Sequence, residues 1–298
     1  MLIIACPGQG SQTPGFLSPW LDAYPQLEAT LTSLGEACSA DLVRLGTTAE
    51  EEEIKDTANA QRLIVGSALA VYRTVFAGKK VDGVLGHSVG EFAAAAIAGV
   101  IGDNDAMQLV AKRADAMAEA AAKTPTSMAA VLGGEEADVL KAIGQLELEP
   151  ANFNGSGQIV AAGAKAAIQR LVESPPEKAR VIELKVAGAF HTSFMESAKK
   201  PVAEVAEGFS AKDPEIKLWS NVDGAQVQDG TAFLSSLVSQ IASPVRWDKC
   251  MTSLSGLSAT VVELPPAGAL AGLTKRGVLD ATAIALKTPA DVEKVPNS

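Results

Sequence analysis

The sequence predicts an α/β protein built on a parallel sheet, with a small second domain inserted into the chain. Three observations lead there. Short apolar strands alternate with amphipathic helices over residues 2–121, the pattern of a parallel sheet. The stretch 125–188 then follows an order of its own, β-α-β-β-α-β. Beyond it the α/β signals resume. The expected division is therefore a large domain of residues 1–124 and 189–298, interrupted by a small domain of residues 125–188.

Residues 2–6 read as a buried strand, a short apolar run closed by Pro7 and Gly8. The opening Met1-Leu2-Ile3-Ile4-Ala5-Cys6 has a superficial look of a lipid-attachment site. It carries no basic region and its apolar run is too short, so a core strand is expected. Helical periodicity runs through the 20s and 30s and again over 60–76. Residues 81–85 form a short apolar strand with a tight turn after it. Residues 91–98 are alanine-rich, which suits a helix packed close to a sheet, and Gly99 is its stop. Asp103 and Asn104 open the next helix, in which Met107, Val110, Ala114, Met117 and Ala121 recur at helical spacing. Lys123-Thr124-Pro125-Thr126 reads as a linker. After it come a strand over 128–132, a helix over 135–146 and two strands near 151–154 and 158–162. Gly155-Ser156-Gly157 makes the turn between those two. A helix over 164–173 and a strand over 180–186 complete the order of a ferredoxin-like unit. No internal repeat is evident, and the only biased tract is a polar C-terminal tail.

Composition narrows the function. With 47% hydrophobic and 20% charged residues in 298, the chain has the means to bury a sizeable core and is not disordered. The net charge of −10 argues against a nucleic-acid partner, which requires a basic footprint. It leaves room for an anionic ligand held by a few local cations. Cys6, Cys38 and Cys250 lie far apart, without metal-ligand or redox spacing, and fit reduced thiols in a cytoplasmic protein. No stretch is long enough to cross a membrane. Neither a metal nor a cofactor is expected.

The strongest chemical signal is Gly86-His87-Ser88-Val89-Gly90. This G-x-S-x-G lies directly after a predicted strand and directly before a predicted helix, the setting of a nucleophile elbow. The bland alternative is an ordinary glycine-rich β-α turn. A serine hydroxyl needs a base, and the chain holds two histidines, His87 and His191. His87 adjoins the serine, and neighbouring side chains at a sharp turn point apart, so a supporting role suits it. His191, in Ala189-Phe190-His191-Thr192-Ser193, is the expected base.

Three segments together, Gly8-Gln9-Gly10-Ser11-Gln12, Gly86 through Glu91, and Gly272-Leu273-Thr274-Lys275-Arg276, resemble the malonyl-CoA:acyl carrier protein transacylases and the acyltransferase domains of polyketide synthases. The resemblance spans nearly the whole chain, in order. It implies an α/β-hydrolase-like large domain interrupted by the ferredoxin-like small one. It implies Ser88 as nucleophile, His191 as base, and the main-chain amides of Gln9 and Val89 as the oxyanion hole. Reading the first loop as a phosphate cradle is weak by comparison, since Thr13 stands where a third glycine belongs. Gln240 matches the family glutamine whose main-chain carbonyl steadies the histidine. Alone it would pass for a polar residue at a helix end.

Arg113 bears on substrate choice. Helical spacing places it at the margin of an apolar face, where most arginines merely extend to water, with Lys112 facing solvent. The resemblance assigns it to the free carboxylate of a malonyl group, and places Met117, Phe190, Asn152 and Asn154 at the acyl site. Phe190 resembles the bulky residue of malonyl-selective relatives. The implied partners are malonyl-CoA and an acidic acyl carrier protein, with Lys275 and Arg276 as candidate docking cations and a monomer expected. Glu263-Leu264-Pro265-Pro266-Ala267-Gly268 departs from the Glu-Val-Gly-Pro-Gly of many relatives. Three alternatives stay open: a serine hydrolase using the same elbow, a carrier-docking subunit with a vestigial one, and the same chemistry in malonate decarboxylation or polyketide synthesis. The chain lacks the HGGG-type loop that hydrolases usually carry.

Overall fold

A computed structural model describes residues 1–296. Asn297 and Ser298, the end of the polar tail, lie outside the described residues. The chain opens with β1 (Leu2–Cys6), buried throughout. Helices α1 (Ser18–Ala23), α2 (Leu27–Cys38), α3 (Leu42–Thr47), α4 (Glu51–Lys55) and α5 (Thr57–Val75) follow. The Asp56 side chain starts α5 by accepting from the amides of Ala58 and Asn59. β2 (Gly83–Gly86), α6 (Gly90–Ile97) and α7 (Asp103–Lys123) complete the first pass. Every residue of α6 is buried. Its alanines allow it to fit between α5, α7 and β2.

The chain then builds a second sheet. β3 (Thr126–Gly133), α8 (Glu136–Gln145), β4 (Glu149–Gly155), β5 (Gln158–Ala164), α9 (Lys165–Glu173) and β6 (Ala179–Glu183) give an antiparallel sheet in the order β4-β5-β3-β6. Strand alternation puts Ala129, Val131 and Ile159 against α8 and α9, while Met128 and Val160 join the core of the larger unit. The expected linker shrinks to Thr124 and Pro125, because Thr126 already pairs with Ala164. The last strand ends at Glu183, short of Val186. Leu184 and Val186 turn instead toward the cavity described below.

The remaining elements are α10 (Glu196–Ala206), β7 (Lys217–Trp219), α11 (Gly230–Ser239), α12 (Trp247–Leu254), β8 (Thr260–Glu263), α13 (Ala269–Gly277) and β9 (Thr282–Ala285). The larger sheet is parallel, in the order β7-β2-β1-β8-β9. Its central strand sends Ile4 and Cys6 into one core and Ile3 and Ala5 into another, so both faces are covered. Burying each of the two isoleucines contributes about 1.5–3 kcal/mol. Strand β4 is tied to this unit at Val245: the Phe153 amide donates to the Val245 carbonyl, and the Val245 amide to that of Ala151, both at 2.9 Å. The Arg246 guanidinium lies 4.5 Å from the Phe153 ring centroid. At the end of β8, the Glu263 carboxylate accepts from the amides of Gly268, Leu270 and Ala271. The side chain thereby caps α13 and fixes the loop before it. Among the described residues no helix is long and apolar enough to cross a membrane.

Candidate active site

The carboxyl ends of β1, β2 and β7 point to one place, as open parallel sheets require of a binding crevice. β2 stops at Gly86 and α6 starts at Gly90, so His87, Ser88 and Val89 make the whole turn. Ser88 is held at φ +52°, in the left-handed region, at a cost of about 1–3 kcal/mol. The flanking glycines are steric necessities. A Cβ on Gly90 would sit 2.3 Å from the Cys6 carbonyl oxygen, and one on Gly86 2.1 Å from the Gly90 carbonyl carbon. Val89 is the N-cap of α6, where amides lack a partner within the helix. The first loop is pinned by buried Gln12, which accepts from the Gly10 amide at 2.9 Å and donates to the Ile54 carbonyl at 3.2 Å. Gln9 then lines the same cavity as Ser88.

His191 comes from the loop after the smaller sheet. The Ser88 hydroxyl donates to its Nε2 at 2.6 Å, and its Nδ1–H donates to the Gln240 carbonyl at 2.8 Å. The second bond selects the tautomer whose free lone pair faces the serine. Burial, reinforced by the Arg113 charge, holds the His191 pKa down at about 3, so the ring is neutral across the physiological range. His87 turns elsewhere. Its Nε2 donates to Asn154 Oδ1 at 2.9 Å and its ring packs against Trp247 with centroids 5.4 Å apart. It buttresses the turn, as expected.

Arg113 does not reach to water. It is 1% exposed, while its neighbour Lys112 is exposed. Nη1 donates to Gln61 Oε1 at 2.6 Å, and Nη2 to Gln240 Oε1 at 2.9 Å and Ser88 Oγ at 3.3 Å. Nε has no hydrogen-bond partner within the described chain. The Phe92 ring lies 5.4 Å from the guanidinium carbon. Burial lowers the Arg113 pKa to about 9, which keeps it cationic at neutral pH. Glu91 lies below. It accepts the Asn221 amide at 2.7 Å and a bond from Gln240 Nε2, and burial pushes its pKa up to about 7.

Ser88, His191, Arg113, Gln9, Met117, Phe190, Asn152 and Asn154 all line one cavity of about 450 Å³. Met128, Val160, Leu184 and Val186 supply an apolar wall from the small-sheet segment. Val89 and Gln240 stand just behind. Gln240 bonds to four of its neighbours at once: His191 through its carbonyl, Arg113 through Oε1, and both Glu91 and the Ser88 carbonyl (3.0 Å) through Nε2. Sequence reasoning missed Gln61, Gln12 and Asn221. Gln61 lies within a helix and Asn221 in a Ser-Asn-Val-Asp-Gly stretch that reads as a plain turn. The signals within reach were Gln12 and Glu91, each lying inside a family segment but given no role there. Among the described residues no cluster of three His, Cys, Asp or Glu side chains could hold a metal. A hydroxyl, a neutral imidazole and a buried cation converging on a half-apolar cavity are the parts of an acyl-transfer site for an anionic acyl group.

Comparison with known proteins agrees with the geometry. Residues 4–292 match the model of the acyl transferase domain family. The chain is 50% identical over 303 residues to the malonyl CoA-acyl carrier protein transacylase of Mycobacterium tuberculosis, covering 100% of both. The crystal structure of MCAT from the same organism superposes with a TM-score of 0.93, covering 99% of each chain. A malonyl-transacylase in complex with its holo type II polyketide acyl-carrier protein, 30% identical, superposes with a TM-score of 0.91 over 98% of each chain.

Proposed function

The chain belongs to the acyl transferase domain family, and from that premise we propose that Ser88 takes a malonyl group from malonyl-CoA and passes it to the phosphopantetheine thiol of an acyl carrier protein. It is an acyltransferase, and the reaction supplies malonyl units for fatty-acid or polyketide synthesis. The observation that carries the reading is the 2.6 Å bond from Ser88 to an imidazole whose far nitrogen is fixed by a main-chain carbonyl.

His191 Nε2 takes the hydroxyl proton as Oγ attacks the thioester carbonyl. The amides of Gln9 and Val89 stabilise the oxyanion, which collapses to a malonyl-Ser88 ester. The departing thiolate of coenzyme A leaves with the proton from His191. The carrier thiol then gives its proton to His191, attacks the ester and frees Ser88, which recovers the proton. The Gln240 carbonyl serves where hydrolases usually place a carboxylate, holding the tautomer without adding a charge. Arg113, on the cavity wall, pairs with the distal carboxylate of the malonyl group. The pairing also relieves His191 of a nearby uncompensated cation, so the anionic substrate makes its own base stronger. Met117 and Phe190 bound the acyl chain, and Asn152 and Asn154 fix its roof.

The finer architecture belongs to the same reading: an α/β-hydrolase-like domain of residues 1–124 and 189–298, and a ferredoxin-like domain of residues 125–188. The order β4-β5-β3-β6 supports the latter. The enzyme acts as a cytoplasmic monomer and binds neither nucleic acid nor membrane. Lys275 and Arg276, in the last turn of α13 with Arg276 on the cavity, receive the acidic carrier. Intact-mass spectrometry after mixing with malonyl-, methylmalonyl- and acetyl-CoA tests the core of this. Ser88 is expected to gain one malonyl group, and Ser88→Ala none. Rapid release of free malonate in place of transfer to carrier would overturn it in favour of a hydrolase.

A further inference from the structure

We propose that Asn221 is a positioning residue for the transfer, a two-point brace that holds the Ser88 turn and, through Glu91, ties it to the carbonyl that orients His191. The inference rests on Ser88 being the nucleophile. Asn221 follows β7, the neighbour of β2 in the sheet, and is 1% exposed. Its Oδ1 accepts the Ser88 amide at 2.8 Å and its Nδ2 donates to the Gly86 carbonyl at 2.8 Å. Those two groups flank His87, so a single amide plane spans the strained turn from strand end to nucleophile. The brace is itself fixed: the Asn221 amide donates to Glu91 Oε1 at 2.7 Å, and its carbonyl accepts from the Arg246 amide at 2.8 Å. Glu91 Oε2 accepts from Gln240 Nε2, and the Gln240 carbonyl holds His191 Nδ1. Nucleophile and base are thus referenced to one carboxylate. Because the Ser88 amide is committed to Asn221, the donors left for an oxyanion are Gln9 and Val89.

Asparagine suits the task because the turn needs one acceptor and one donor from the same short side chain. Alanine offers neither. Aspartate offers the acceptor, but its second oxygen faces the Gly86 carbonyl unless it is protonated. Glu91 from α6 sits beside position 221 and favours that protonated form, as does the Cys250 thiol of α12, whose Sγ lies 3.7 Å from Nδ2 and stays protonated through burial. Arg113 from α7 and His191 stand behind Gln240, one residue removed.

The test uses two readouts on the intact chain. One is the rate at which a fluorophosphonate labels Ser88, which depends on the nucleophile and not on the acyl group. The other is single-turnover acylation by malonyl-CoA. Asn221→Ala is expected to lower both rates about 10–100-fold, since small displacements of reacting groups carry losses of this order, with KM for malonyl-CoA within about threefold of wild type. Asn221→Asp is expected to match the alanine variant at pH 8 and to recover at least about tenfold toward pH 5, as its carboxyl gains the missing donor. The readout is the ratio of variant to wild-type rate at each pH, because Glu91, with its pKa at about 7, titrates in both over that range. A labelling rate for Asn221→Ala within about threefold of wild type sinks the proposal, and so does an aspartate variant without pH-dependent recovery. Should the alanine variant not fold, the aspartate profile decides alone. If wild-type enzyme fails to take malonyl from malonyl-CoA, the transacylase reading fails while fluorophosphonate labelling still judges the brace.

Discussion

In the proposed reaction Arg113 has two roles, holding an anionic acyl group and biasing the base, through one buried guanidinium. A charge-assisted pair to carboxylate contributes about 1.5–3 kcal/mol. Arg113→Ala is therefore expected to cut the preference for malonyl- over acetyl-CoA in kcat/KM roughly 10–150-fold, and an unchanged ratio would remove the clamp from the mechanism. The same residue sets a pH signature. With His191 held near 3 by burial and by the Arg113 charge, the acid limb of kcat/KM that belongs to the imidazole should lie below about pH 5. Removing the cation lets the imidazole regain protons more readily, so in Arg113→Ala the acid limb moves to higher pH. Stopped-flow acylation over falling pH checks the direction. Neither number was legible from the linear chain. The residue itself was, but helical spacing alone placed Arg113 at a solvent margin, and only the buried contacts with Gln61 and Gln240 show it sealed inside.

At the scale of elements, the decisive feature is how closely β1, β2 and α6 approach at the elbow. Gly90 rests on the end of β1, and a methyl group there meets the Cys6 carbonyl oxygen at 2.3 Å. Gly90→Ala is expected to destabilise the fold by about 1–3 kcal/mol through overpacking and to displace Ser88 from His191. Urea unfolding together with fluorophosphonate labelling measures both. A variant that keeps wild-type stability and labelling rate would show that the helix can shift without moving the nucleophile. This element was readable in advance because its constraints are local: strand, glycine, serine, glycine, alanine-rich helix. The cap on α13 was less so. Glu263 stood in the sequence as part of an atypical Pro-Pro segment, and its three amide partners exist only because the chain folds back on the end of β8.

For the molecule as a whole, two buried groups give stability opposing dependences on pH. Glu91 has its folded pKa raised from 4.5 to about 7. Its contribution is fully present below about pH 4.5 and is lost as pH rises through about 7. His191 has its folded pKa depressed from 6.5 to about 3, so its contribution is present above pH 6.5 and is lost as pH falls through about 3. Between 4.5 and 6.5 the two slopes oppose each other. Glu91→Gln removes the first alone. The difference in Tm, variant minus wild type, is therefore expected to become more positive by at least about 2 °C between pH 5 and pH 8. Calorimetry showing a constant difference would mean that Glu91 titrates normally in the folded protein.

The same scale separates what the chain's order determines from what folding decides. Apolar alternation, the G-x-S-x-G turn, the scarcity of histidines and the three family segments were sufficient for an α/β architecture and a malonyl-transferring enzyme, and for proposing a serine nucleophile and its base. Each is a property of near neighbours along the chain or of residue type. Gln61, Asn221 and the partnership of Glu91 with Gln240 were beyond reach, because they join residues 52 to 149 positions apart across separate elements. Hydrogen bonds of that kind have no period and no motif. They arise when close packing excludes water from polar groups, which must then find one another.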